Sequence, residues 1–148
     1  MPLNNTSNET LVYAGIFRRL FAIFYDCFLL IAILFIVGYI SIALNSGEAI
    51  ESDNPLHWMF LFTLVTVSFL YFGWFWTHGG QTLGMQTWRI RLQNEDNSPI
   101  SWKQVAQRYV TAIFSWSCFG LGFIWLLFTK KRRSWHDIIS RTVMVDLR

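Results

Sequence analysis

The sequence predicts an all-α integral membrane protein: two long transmembrane helices, a third apolar stretch that is either a re-entrant hairpin or a third span, and a short cytoplasmic β-strand pair. Three observations predict it. Of 148 residues, 53% are hydrophobic and 18% aromatic but only 14% charged, against about 25% charged in ordinary soluble domains. Two apolar runs, residues 17–44 and 56–76, are long enough to cross about 30 Å of hydrocarbon. The basic residues flank these runs instead of forming a stripe on a soluble surface, which argues against nucleic-acid binding.

Residues 1–12 are polar and Asn-rich and read as a disordered cytoplasmic tail, leaving 13–148 as one membrane domain. The first run carries one charge after Arg19, namely Asp26. It is about twice the length of a signal-peptide core, so it reads as a retained span. The second run has Trp58 at one end and Tyr71, Trp74 and Trp76 at the other, the pattern of interfacial aromatic belts. The intervening loop holds Glu48, Glu51 and Asp53 and no Lys or Arg, whereas Arg18, Arg19, Arg89, Arg91, Lys103 and Arg108 flank the two spans. The positive-inside rule therefore puts the N-terminus in the cytoplasm and the acidic loop outside.

The third apolar segment, about residues 105–128, is uncharged from Tyr109 to Phe128. A single crossing would strand Lys130, Lys131, Arg132, Arg133 and the tail 129–148 outside. A break at Gly120-Leu121-Gly122 favours two short helices that dip in and return, provided that protein covers the bent backbone. Ser101-x-x-Gln104 has the form of a capping box and predicts a helix starting at Trp102. Trp88 to Gln93 alternates apolar and polar, and Thr142 to Leu147 is rich in β-branched residues; both predict strands that pair on the inner face. Gly79 and Gly80 suit a tight turn leaving the second span, where backbones approach closely.

Asp26 is the most informative side chain. A carboxylate at mid-bilayer costs roughly 2.5–3.5 kcal/mol on insertion scales, so one that persists has a partner, a cavity or a task. Arg19 lies two turns before it on the same face, about 10 Å away along the axis and too far for a direct pair. Arg108, from another helix at comparable depth, is the expected partner, and Arg18 is expected to anchor to headgroups. Lys130, Lys131, Arg132 and Arg133 read as a patch for anionic lipid. His136 beside Asp137 allows a proton relay, although such an Asp more often caps a helix or holds a basic neighbour. Cys27 and Cys118 read as buried free thiols. No metal spacing, phosphate loop or nucleophile–base set is present, so neither metal, cofactor nor enzymatic activity is expected.

Three blocks resemble the RDD family of small bacterial membrane proteins, named for one arginine and two aspartates. They are Tyr13 to Asp26, Gly80-Gln81-Thr82-Leu83-Gly84 running into Trp88-Arg89-Ile90, and Trp135 to Val145. The resemblance implies Arg19, Asp26 and Asp137 as the signature charges. It further implies an inner-membrane location and transport of some ligand or ion. Two positions depart from the family pattern: Met85, where a basic residue is common, and Ser140, where a Gly is common. Two spans and a hairpin enclose no solvated path alone, so a homo-oligomer or a partner membrane protein is expected. The alternative is a non-catalytic scaffold or accessory subunit whose charges hold helices together.

Overall fold

The computed structural model describes residues 12–118, 125, 128 and 133–148. Its elements are α1 (Ile16–Leu44), α2 (His57–Thr77), α3 (Leu83–Thr87), β1 (Ile90–Asn94), α4 (Trp102–Ser117), α5 (Trp135–Ile139) and β2 (Thr142–Asp146). The two predicted spans form helices of 29 and 21 residues, both long and apolar enough to cross a membrane. Among the described residues no third helix meets that test. The first half of the third stretch is α4, whose 16 residues cover about 24 Å, short of a bilayer core. A simple third crossing therefore has no support. The Gly120–Gly122 break, Lys130 to Arg132 and residues 1–11 lie outside the described residues.

On α1 the buried residues are Arg19, Ala22 and Asp26, spaced three and four apart and hence on one stripe. The rest of its surface is apolar and open: Phe17, Phe24, Phe28, Phe35 and Tyr39 are all exposed, as suits a helix solvated by lipid. Cys27 is exposed on this surface and not buried, and its thiol is free. Helix α4 starts at Trp102 through the predicted box, in which Ser101 N–H donates to Gln104 Oε1 at 3.0 Å and Gln104 N–H to Ser101 Oγ at 3.4 Å. It lies along the second half of α2. Gly73 admits the Trp102 ring, Phe69 meets Trp102 and Tyr109, and Ser68 and Tyr109 share a 2.5 Å hydrogen bond.

The strands pair antiparallel with Ile90 opposite Asp146, Leu92 opposite Met144 and Asn94 opposite Thr142. Both sheet edges are closed. Ala14 N–H donates to Met144 O at 2.9 Å and Asp146 N–H to Val12 O at 2.7 Å, so the residues before α1 add a third rung beside β2. On the other side Leu92 N–H donates to Gly80 O at 2.7 Å, and the Gln81 amide reaches Ile90 O at 2.8 Å. Covering an edge in this way leaves no template for another chain. The core gathers where the helix bases meet this sheet, around Ala14, Ala22, Met85, Leu92, Val105 and Met144.

The chain uses one device twice. Thr82, a five-residue helix, Trp88, a left-handed Arg89 (φ 52°) and a five-residue strand correspond position for position to Ser134, α5, Ser140, a left-handed Arg141 (φ 54°) and β2. Two such helix–strand units face each other antiparallel and build the platform on which α1, α2 and α4 stand.

Gly80 and Gly84 are the close approaches in this platform. A Cβ on Gly80, whose φ is 72°, would collide with the Leu92 carbonyl; one on Gly84 would collide with the Ala22 carbonyl and the Asp26 carboxylate. Gly84→Ala is expected to lose about 1–3 kcal/mol through overpacking, read as a lowered unfolding temperature of the purified protein. Gly38 has open space around it, so Gly38→Ala is expected to leave the transition unchanged or raise it.

Candidate functional site

Asp137 enters the platform interior from the first turn of α5. Ser134 and Asp137 form a reciprocal capping box, with Ser134 N–H donating to Asp137 Oδ2 at 3.1 Å. The same carboxylate binds Arg19 Nη1 through Oδ2 at 2.5 Å and Arg108 Nη1 through Oδ1. All three side chains are essentially buried. Arg19 Nε also donates to Ala14 O at 3.2 Å, and Arg108 Nη1 to Thr142 Oγ1 at 3.1 Å. One carboxylate thus joins α1, α4 and α5, with β2 reached through Thr142.

Asp26 makes no ion pair with Arg108, against expectation, because Asp137 holds that arginine. Neutral groups hold Asp26 instead: Gly84 N–H donates to Oδ1 at 2.9 Å, Tyr71 OH to Oδ1 at 3.2 Å, and Thr82 Oγ1–H to Oδ2. Thr82 Oγ1 also accepts from Met85 N–H at 3.2 Å, so the hydroxyl caps α3 while donating to α1. These donors meet both carboxyl oxygens without a counter-ion.

Other expectations are corrected by long-range contacts. Arg18 does not reach for headgroups; its Nη1 donates to Trp88 O at 3.3 Å and pairs with Asp146 Oδ1 at 3.2 Å. Arg133 pairs with Glu95 at 2.6 Å and donates to Thr142 O, so its guanidinium is engaged within the protein. Trp76 and Tyr71 are not belt residues. Trp76 is buried with the Arg108 guanidinium 5.2 Å above its ring, and Tyr71 serves Asp26. Met85 and Ser140, the two departures, are both buried; Ser140 Oγ donates to His136 O at 2.5 Å and lies 2.8 Å from Thr142 Oγ1.

His136 is buried with Nε2 2.9 Å from Ser134 Oγ and 4.0 Å from Asp137. Burial first, and then Arg108, push its imidazole down to about 3. Burial alone would raise the Asp137 carboxyl, but Arg108 and Arg19 outweigh it and hold the group well below the usual carboxylate range. With these directions the imidazole stays neutral and the carboxylate ionised at neutral pH, and Asp137 takes the capping and arginine-holding role. Among the described residues no three His, Cys, Asp or Glu side chains gather as a metal site.

A cavity of about 430 Å³ opens between α1, α2 and α4. Asp26, Arg19, Arg108 and His136 reach its wall, which is otherwise almost wholly apolar. The signature charges and every element except β2 fall within residues 13–141, the span matched by the RDD family model. The chain belongs to the RDD family. No curated protein and no solved structure matches it significantly. In this RDD protein the first and last signature blocks meet at Asp137 and Arg19, and the middle block meets the first at Asp26.

Two acid-side consequences follow from the His136 and Asp137 shifts. His136 is depressed from its ordinary value near 6.5, so the unfolded chain takes up the proton first. The stability from keeping it neutral is complete above about pH 6.5 and drains as pH falls towards 3, at no more than about 1.4 kcal/mol per pH unit. Asp137 adds a loss that begins only below about pH 4. Thermal unfolding should be flat from pH 8 to 7 and decline below, and His136→Gln should flatten the decline between pH 6 and 4. Asp137→Asn leaves two buried guanidinium groups without a counter-charge and is expected to cost about 3–5 kcal/mol, seen as loss of the monodisperse protein on size exclusion.

Proposed function

We propose that this RDD protein is a multi-pass protein of the bacterial inner membrane that binds a small ligand or ion in the cavity between α1, α2 and α4, in the service of transport. The observation that carries the reading is the cavity wall itself, in which Asp26, Arg108 and His136 meet an apolar surround. Such a wall, mostly apolar with a few convergent polar groups, is the usual chemistry of a ligand site. Orientation is argued from charge. The platform at the base of α1 carries Arg89, Arg91, Arg133 and Arg141, while the loop at its far end carries Glu48, Glu51 and Asp53, so the N-terminus and platform are cytoplasmic. That face is the side of anionic headgroups, and the basic composition of the sequence at Lys130, Lys131 and Arg132 suits it. Among the described residues two candidate spans and a 16-residue α4 do not surround a path, so the transport reading takes a second copy or a partner membrane protein to complete one.

A second reading has its own observation. Both signature aspartates have their oxygens occupied by protein donors, as expected of helix-joining polar contacts in an accessory or scaffold subunit. Neither reading assigns a catalytic step.

Asp26→Asn separates them, because an amide oxygen keeps an acceptor for Gly84 N–H and Tyr71 OH while the charge is removed, at the cost of the acceptor that takes the Thr82 hydroxyl. In proteoliposomes the transport reading expects the variant to insert and assemble while ion-dependent proton flux falls at least about tenfold, a barrier change of about 1.4 kcal/mol. Unchanged flux with an intact fold removes Asp26 from transport and leaves the scaffold reading.

A further inference from the structure

Two side chains at the cavity carry donors that nothing in the described residues accepts. The Trp76 indole N–H is buried without an acceptor among the described residues, and Trp76 lines the cavity. Arg108 also lines it, and both of its hydrogen bonds leave from Nη1, to Asp137 and Thr142. A guanidinium carries five N–H donors, so those on Nε and Nη2 remain without a protein acceptor among the described residues. The two side chains are neighbours, with the Arg108 guanidinium 5.2 Å from the Trp76 ring centroid. Buried donors are almost always satisfied in folded proteins, and leaving one unmet costs about 1–3 kcal/mol.

What would satisfy them is constrained by charge and shape. Arg19 and Arg108 are both paired with Asp137, so their charge is engaged within the protein and what the cavity is offered is directed donors. The Asp26 oxygens already accept from three groups, which leaves the unmet capacity on the donor side. The remaining wall is hydrocarbon, from Ile23, Leu30, Ala112 and Ile113. Its mouth lies along the outer faces of α1 and α4, where Cys27, Ile113 and Ser117 are exposed, so the cavity opens sideways.

We propose that this cavity takes a lipid-type acyl chain whose carbonyl oxygen accepts from Trp76 Nε1 and the free N–H groups of Arg108, with the chain lying along Leu30 and Ile113. The assignment rests on the ligand-binding reading above and names its ligand class. The acyl carbonyl has two sources: the ester of a bilayer lipid, which is uncharged, or a free fatty acid, which presents the same neutral carbonyl only in its protonated form.

The test is saturable binding of a radiolabelled fatty acid to the full-length protein, purified and delipidated in detergent. Competition by the unlabelled acid and its methyl ester, with none by the alkane of equal length, is the expected result. Trp76→Phe keeps the ring and removes the donor, and should weaken binding about five- to tenfold. Ala112→Phe fills the hydrocarbon part and should abolish saturable binding while the protein remains monodisperse. Displacement by phosphatidylglycerol makes the bilayer lipid the occupant; resistance to it makes the free acid the occupant. The acyl assignment is overturned if the alkane competes as well as the ester, or if Trp76→Phe binds like the parent. Absent binding with Asp26-dependent flux intact overturns this assignment alone, whereas absence of both overturns the ligand-binding reading with it.

Discussion

One carboxylate shared between two arginines holds the base of this structure together. Asp137 is buried, and burying an ion costs several kcal/mol unless geometry and hydrogen bonding return it. Here they do. Both carboxylate oxygens are paired with guanidinium nitrogens, and the Ser134 amide adds a third donor. Arg19 comes from α1, Arg108 from α4, and Asp137 from a helix of five residues that could not hold its own shape in isolation. The ion cluster therefore fixes the positions of elements too short or too polar to be fixed by hydrophobic packing. A small apolar core gathers at the same junction, around Ala22, Met85 and Val105.

The second signature aspartate does a related task by a different route. In the duplicated helix–strand unit, α5 carries its own acid at the third helical position, Asp137, where α3 carries Met85. Helix α3 lacks an acid of its own in its first turn and receives one from outside. Asp26 of α1 accepts from Gly84 N–H and from the Thr82 hydroxyl, and Gly84 has no Cβ to keep the two apart. Met85, freed from any polar duty, packs into the core. The two aspartates of the family name thus serve the N-terminal turns of the two short helices, one from within and one from α1.

What local periodicity controls was legible in the sequence. The two long helices, the paired strands, the Ser101–Gln104 box at the start of α4 and the tight Gly80 turn all follow from nearest-neighbour chemistry. What failed was long-range. Sequence depth along a helix suggested Arg108 for Asp26, but depth does not say which of two carboxylates lies on the facing side. Tyr71 and Trp76 sit where belt aromatics sit, and only packing against α1 and α4 turns them inward. Arg18 and Arg133 carried the composition of lipid anchors, yet each meets an acid far away in the chain, Asp146 and Glu95. Thr82 and Gly84 were in view as part of a motif; their bond to Asp26 was not, because nothing in a five-residue block marks the helix it will touch.

These corrections change what kind of ligand the site can favour. Had Asp26 faced Arg108 alone, the natural reading would have been an exchangeable ion pair, with a cation or proton displacing the arginine. Instead the arginines are committed to Asp137, and Asp26 is held by hydroxyl and amide donors. A bare cation would have to enter a low-dielectric pocket whose unmet groups are donors, with nothing there to offset its desolvation. Directed donors lose far less in such a setting, since a dipole can satisfy them without carrying charge inward. The unmet groups on Trp76 and Arg108 are donors, and the wall beyond them is hydrocarbon. Electrostatics and shape therefore favour an uncharged acceptor on an apolar chain over a bare cation.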